Sequence, residues 1–272
     1  MRAYYINLAS RPERRAAMEA RLAPLQMTAE RIEAVTPADV TDEQRRKYCD
    51  PLAYRWQTEG ELACSLSHLA AMKAFLTTPA PFAAIFEDDA ILSSGLADFL
   101  AAFDATPLPV DILRLETDNG PIRLAPRPQF QLGQFGLYQL FAAGGGAAAY
   151  VISRRGAERA LAGDSILVSL TDQALFNPYG KLSKGLVVRQ LVPALAIQED
   201  RIEVPERRNR LATSDLEYLR VKRGSSDGKN FWRRAAYNFY DFIDREFVGG
   251  IQKFWNWSVK GVVKMDIPFK HD

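Results

Sequence analysis

Phe82-Ala83-Ala84-Ile85-Phe86-Glu87-Asp88-Asp89 restricts the folds open to this chain more than any other stretch. A short apolar run without polar interruption suits a strand covered on both faces, as in a parallel sheet. Sheets of that kind hold ligands just beyond the carboxyl ends of their strands. Here that end carries three acids, which repel one another unless something positive sits among them. A divalent cation bound by carboxylate oxygens meets that need, and a cation on a phosphate ester does chemistry. A solvated acidic turn fits the same residues without chemistry.

The 272 residues are 47% hydrophobic. That is enough for a sizeable core, in one large domain or one domain with an appendage. The net charge of +2 argues neither for nor against nucleic acid. Two cysteines, Cys49 and Cys64, make no disulfide framework, so a reducing compartment is the default. The start, Met1 to Asn7, turns polar too early for a secretory signal, and a cytoplasmic protein is expected. Residues 133–153 carry no charge over about the length that spans a bilayer. Gly144-Gly145-Gly146 interrupts them, however, and glycines break both helix and strand. The reading is a loop, then a buried strand from Ala147 to Ile152. No HExxH or paired-cysteine motif suggests zinc.

Tyr4 to Leu8 has strand composition. Ser10-Arg11-Pro12-Glu13 fits a capping box with proline in the first turn. A helix start welcomes an anion, and Arg11, Arg14 and Arg15 add positive charge suited to a phosphate. Taken singly, each arginine also fits a solvated helix face. Arg31 to Val35 reads as a second strand. Glu61 to Leu76 reads as a helix, with Glu61, Ser65 and His68 sharing one side. His68 suits substrate positioning or a structural role. Val110 to Leu115 is a further strand, ending at Glu116, Thr117 and Asp118. Residues 120–135, rich in proline, glycine and basic side chains, read as a long surface loop. Thr171 resembles an N-cap, which puts Asp172 at a helix start. That position suits a capping acid or a catalytic base. Strands alternating with helices give an α/β sheet.

Together these pieces resemble glycosyltransferase family 25, the lipopolysaccharide and lipooligosaccharide galactosyltransferase group. The residues carrying the likeness are Tyr5 to Leu8 with Arg11, Arg14 and Arg15, then Arg31 to Val35. Next come Gly60-Glu61-Leu62-Ala63-Cys64-Ser65-Leu66-Ser67-His68 and Phe86 to Asp89. Gly144 to Ala157, Asp172, Pro193 and Gln198 complete it. The resemblance implies a GT-A type fold, a UDP-sugar donor (usually UDP-galactose), a divalent cation (Mn2+, or Mg2+), and inversion at the anomeric carbon. It implies Asp89 on the metal, with Glu87 or Asp88 towards metal, ribose or sugar. Asn7 and Leu8 would meet the uracil, flanked by Glu33 and Ala34, with Gln198 also at the donor. Arg11, Arg14 or Arg15 would steady the leaving diphosphate. Glu61 and His68 would shape the pocket. Asp172 is the first candidate base, and Asp118 or Glu116 the second. A glycan acceptor, lipid-linked or similar, is implied. A catalytically silent glycan- or nucleotide-binding protein on the same fold is the rival reading.

The catalytic domain is expected over 1–215, with a basic, aromatic helical region over 216–272. Residues 218–272 hold 11 Lys and Arg against 6 Asp and Glu, and Trp232, Trp255 and Trp257. A helix with Ile251, Trp255 and Val262 on one side and Lys253, Lys260 and Lys264 on the other suits an inner-membrane surface. Packing on the catalytic domain or on a second copy in a homodimer, with the lysines outward, is the alternative. Nothing besides these basic aromatic stretches supports nucleic-acid binding.

Overall fold

A computed structural model describes residues 1–51, 56–202 and 261–270. The chain opens with strand β1 (Arg2–Asn7), helix α1 (Pro12–Leu22) and strand β2 (Glu30–Glu33). Helix α2 (Asp42–Tyr48) and the long α3 (Glu59–Leu76) follow. The apolar run forms β3 (Phe82–Glu87), then come β4 (Ala90–Leu92) and helix α4 (Leu96–Ala105). Five short strands succeed one another: β5 (Ile112–Arg114), β6 (Glu116–Thr117), β7 (Pro121–Leu124), β8 (Phe130–Leu132) and β9 (Phe135–Gln139). Strand β10 (Ala149–Ser153) and helices α5 (Arg154–Leu161) and α6 (Thr171–Phe176) lead to β11 (Val188–Val192) and β12 (Ala196–Gln198). Strand β13 (Val263–Asp266) lies near the C-terminus.

The main sheet has eight strands in the order β2-β1-β3-β10-β5-β11-β9-β8. Strands β1, β2 and β3 are parallel to one another, and β11 is parallel to β5. Strand β10 runs antiparallel between β3 and β5. The carboxyl ends of β1, β2, β3, β5 and β11 therefore share one edge. A small sheet, β4-β12-β6, extends that edge. The mixed sheet flanked by helices is the α/β class expected from the sequence.

Alternation along β3 explains its uninterrupted apolar character. Ala83 and Ile85 pack with α3, α5 and α6 residues such as Phe75, Ala157 and Leu175. Phe82, Ala84 and Phe86 pack on the other face with Met18 of α1 and Phe99 and Phe103 of α4. Both faces are thus covered, and neither tolerates a polar side chain.

Several local expectations give way to other arrangements. Helix α1 has Arg11 as its N-cap and no side-chain cap bond. The chain turns straight out of β1, with the Arg11 N–H on the Leu8 carbonyl, so the cap falls one residue past Ser10. Helix α3 starts earlier than Glu61, closed by a capping box between Thr58 and Glu61. Helix α6 has Leu170, not Thr171, as its N-cap; the Thr171 hydroxyl instead meets Ser65 Oγ at 3.1 Å. Residues 120–135 are not one loop. Strand β7 pairs with β13, and β8 pairs with β9 across Gly133, whose φ of 57° suits glycine. Lys264 lies in β13 rather than on a helix. Of the basic aromatic region, residues 216–260 and 271–272 lie outside the described residues. Residues 133–153 supply β9 and β10, and no helix among the described residues is long and apolar enough to cross a membrane.

Helix α5 approaches the sheet so closely that a Cβ at Gly156 would stand 2.9 Å from the Asp111 carbonyl oxygen and from Ile152 Cγ1. Overpacking costs about 1–3 kcal/mol, whereas replacing a helical glycine gains about 1 kcal/mol. One neighbour is backbone and cannot swing aside, so the cost wins. Gly156→Ala is expected to lower the midpoint of urea unfolding with an unchanged m-value.

Candidate active site

The shared carboxyl edge brings the acids together. Asn7, the last residue of β1, donates from Nδ2 to Asp88 Oδ2 at 2.7 Å. Asn7 is itself held by Arg31, whose Nε donates to Asn7 Oδ1 at 3.0 Å. Arg14 lies 3.3 Å from Asp88 Oδ1. Both Asp88 oxygens are therefore engaged, yet burial still raises its acid range above the usual value.

Glu87 is gripped from two sides. His68 Nε2 lies 3.0 Å from Glu87 Oε1, and Gln198 Nε2 donates to Oε2 at 3.5 Å. His68 is fully buried, and its Nδ1 meets the Tyr150 hydroxyl at 3.0 Å. Asp89 differs from both neighbours: its Oδ1 is buried without a hydrogen-bond partner. Burial, reinforced by the charge of Glu87, pushes its carboxyl up to about 7. An orphaned, desolvated carboxylate oxygen among further acids is the donor set a hard divalent cation takes.

Glu116 is buried where β6 leaves β5. It accepts from the Ala148 N–H at 2.8 Å and from Arg114 at 3.3 Å. Desolvation outweighs the adjacent Arg114 guanidinium, and the nearby charges of Glu87 and Asp89 add to it, so the carboxyl is pushed up to about 8. The glycine run lies directly over this pair. A Cβ at Gly144 would stand 2.5 Å from an Arg114 nitrogen, and one at Gly146 would stand 2.4 Å from Glu116 Oε1. Gly146 also has φ of 85°, a conformation that side chains resist. Its N–H donates to Asp172 Oδ2 at 3.0 Å, while the Gln173 N–H donates to Asp172 Oδ1 at 2.7 Å. One glycine thus separates Asp172 from Glu116, and Gln198 Oε1 would lie 3.1 Å from the same Cβ.

The remaining candidates sit less centrally. Asp118 turns back on the Gly120 N–H at 3.2 Å and would lie 3.2 Å from a Gly145 Cβ. Leu8 and Ala34 are half-buried beside Asn7, whose carbonyl accepts from the Ala34 N–H at 3.0 Å. Arg11 lies 3.7 Å from Glu13, and Arg15 pairs with Glu19 at 2.8 Å on the outer face of α1. Glu33 is exposed, 3.6 Å from Arg31. Glu61 closes the cap of α3, its Oε2 accepting from the Thr58 N–H at 2.9 Å. Thr58 and Glu61 stand at capping-box spacing, so that role was legible in the sequence.

Other contributors were not singled out from the sequence. Arg21, two turns beyond Arg14 on α1, donates to the Asp88 and Ala90 carbonyls at 3.2 Å and pairs with Glu199 at 3.0 Å. Arg114 was visible as a charge set between Leu113 and Leu115 in an otherwise largely apolar strand. Tyr150 gave no signal, because a tyrosine in a buried strand looks like core.

Comparison with known proteins places the chain in a family. The family described as glycosyltransferase family 25 (LPS biosynthesis protein) matches residues 1–163. The chain is 28% identical over 229 residues to the lacto-N-neotetraose biosynthesis glycosyltransferase LgtE of Neisseria meningitidis serogroup B, covering 80% of this chain and 81% of that protein. It is 27% identical over 233 residues to the lipooligosaccharide biosynthesis protein lic2B of Haemophilus influenzae, covering 81% and 85%. It is also 30% identical over 173 residues to the probable inactive glycosyltransferase 25 family member 3 of Bos taurus, covering 58% of this chain but 28% of that protein. The matched residues include the first strand end, helix α3, the acidic strand end and the glycine run, and the chain belongs to glycosyltransferase family 25.

Proposed function

We propose that the protein transfers a sugar, galactose in the leading reading, from its UDP ester to a glycan of lipopolysaccharide or lipooligosaccharide type, with inversion. The observation that carries this is the division of labour among acids on one sheet edge: one has an open oxygen, one is neutralised by burial, and one is pinned by backbone N–H groups.

Asp89, with Asp88 or Glu87 beside it, would hold Mn2+ or Mg2+. Such a cation supplies charge neutralisation to a departing diphosphate. Asn7, at the end of β1, would present backbone groups to the uracil, flanked by Ala34. Arg14 stands beside Asp88 and adds positive charge there. Glu87, oriented by His68 and Gln198, faces the donor sugar. Asp172 takes the proton of the acceptor hydroxyl as its oxygen bonds to the anomeric carbon, and UDP leaves with the bonding pair. Glu116 keeps its proton near neutral pH and serves as a buried support for the glycine run.

The basic aromatic residues 218–272 suit contact with an anionic inner-membrane surface, where a lipid-linked acceptor resides. Packing against a second copy is the other use of those residues. A silent binding protein on this fold is favoured by one observation, the resemblance to the probable inactive bovine relative. Release of UDP from UDP-galactose in the presence of Mn2+ separates the two readings.

Asp172→Asn is expected to lower kcat by about a hundred- to ten-thousand-fold while UDP affinity, read by calorimetry, stays within a few-fold of the parent. Turnover that survives within a few-fold removes Asp172 as the base. Asp89→Asn should abolish the rise in Tm that Mn2+ and UDP together confer on the parent protein.

Glu116 yields a pH prediction. Its folded-state acid range lies near 8, above the unfolded value of about 4.3. Between those values the folded state binds more protons, so this group's contribution to stability is present at low pH and lost as pH rises through 8. Glu116→Gln carries no such proton. The Tm difference, variant minus parent, should become more positive from pH 5 to pH 9; a flat or falling difference contradicts a buried, proton-holding Glu116.

A further inference from the structure

Cys64 lies one helical turn before His68 on α3, and the acidic strand end faces both. The Cys64 thiol sulfur, a His68 ring nitrogen and a Glu87 carboxylate oxygen all lie within 4.8 Å of one another. Two ligands at i and i+4 on a helix, completed by an acid from another element, are spaced to chelate one ion. We propose that Cys64, His68 and Glu87 form a binding site for a soft divalent cation of the zinc and cadmium class.

The chemistry of the three groups supports that choice. A thiolate selects soft ions, whereas the oxygens of Asp89 suit hard Mn2+ or Mg2+. The two sites are therefore neighbours with different preferences. Metal bonds of about 2.0–2.3 Å need the three donor atoms to close around one point, and His68 Nε2 already stands 3.0 Å from Glu87 Oε1. The second ring nitrogen, Nδ1, is 3.0 Å from the Tyr150 hydroxyl. A histidine that binds metal through one nitrogen donates from the other, and Tyr150 is placed to accept. On binding, the thiol proton passes to solvent and the imidazole proton resides on Nδ1. His68, packed against Tyr150 with ring centroids 5.7 Å apart, needs no rotation to do this. Neither cysteine is in a disulfide, and Cys64 is half-buried.

A filled site engages Glu87, which is then lost to the donor sugar. That consequence, inhibition of transfer, rests on the reading of Glu87 given under Proposed function; the binding of the ion does not.

The test uses the full-length chain. Titration with Cd2+ should raise a thiolate-to-cadmium charge-transfer absorption that saturates at one ion per chain. Cys64→Ser should remove that absorption and weaken Cd2+ binding at least tenfold, while Cys49→Ser should leave both unchanged. A second measurement needs no variant. In the parent protein, Zn2+ should slow alkylation of Cys64, read by mass spectrometry, and leave Cys49 unaffected. Absorption that persists in Cys64→Ser, or alkylation of Cys64 that Zn2+ does not slow, overturns the site. If Zn2+ protects Cys64 but no transfer from any UDP-sugar is found, the cation site stands and the transferase reading falls. If transfer proceeds and Cys64 is not protected, the reverse holds.

Discussion

Mutual repulsion among carboxylates on one sheet edge is the constraint to which the surrounding structure answers. Glu87, Asp88, Asp89, Glu116 and Asp172 are gathered there, and each of four is answered by its own partners. Asp88 has Asn7 and Arg14, Glu87 has His68 and Gln198, Glu116 has Arg114 and the Ala148 N–H, and Asp172 has two backbone N–H groups. Asp89 Oδ1 stays buried without a hydrogen bond. Leaving a buried polar atom unpaired costs about 1–3 kcal/mol, and more for a charge. A fold that satisfies its other acids and not this one keeps the cost where a ligand can relieve it.

Helix α3 organises much of that response. It is packed on several sides, so it reads as apolar almost all round. Its few polar side chains each tie down a different piece of the site. Ser67 Oγ accepts from the Val35 N–H at 2.8 Å and anchors the chain after β2. Ser65 reaches Thr171 and so fixes the start of α6, next to Asp172. His68 reaches Glu87 and Tyr150. A single rigid rod thus sets the spacing between the acid proposed for the donor sugar and the acid proposed as base. A helix fixes such distances more firmly than a loop does.

The parts of this arrangement that were legible in the sequence follow from local chemistry. An apolar run ending in acids, read in Phe82–Asp89, marks a covered strand whose carboxyl end holds ligands. Alternation was invisible there because both faces are buried. What was not legible depends on partners far away in the chain. Strands β7 and β8 are too short to signal themselves; β7 exists because β13, some 140 residues later, pairs with it. Thr171 has a capping side chain, but a tertiary contact with Ser65 outbids the local cap. Gly144 to Gly146 look like a flexible loop. Their smallness serves instead to let backbone lie on the Arg114 and Glu116 side chains, which no local pattern reveals. Arg114, set between Leu113 and Leu115, was the available clue: a buried guanidinium must find an anion, and removing one member of such a pair costs about 3–5 kcal/mol.

The C-terminal residues bear on how the site is built. The Thr117 hydroxyl donates to the Ile267 carbonyl at 2.8 Å, Ala194 bridges Phe269, and β13 pairs with β7. Ile267 is itself buried in the core shared with α3 and α6. Residues 261–270 therefore brace the backbone immediately beyond Glu116. Two further contacts involve the chain between β6 and β8: Asn119 Nδ2 donates to the Arg201 carbonyl at 3.4 Å, and a Cβ at Gly261 would stand 3.8 Å from Pro126. Strand β13 forms a two-stranded sheet with β7, so residues 261–270 pack beside the chain that follows Glu116 although they lie some 140 residues further on. Basic and aromatic character describes what a segment can meet in solvent, whereas β13 is held by backbone hydrogen bonds that any composition can make.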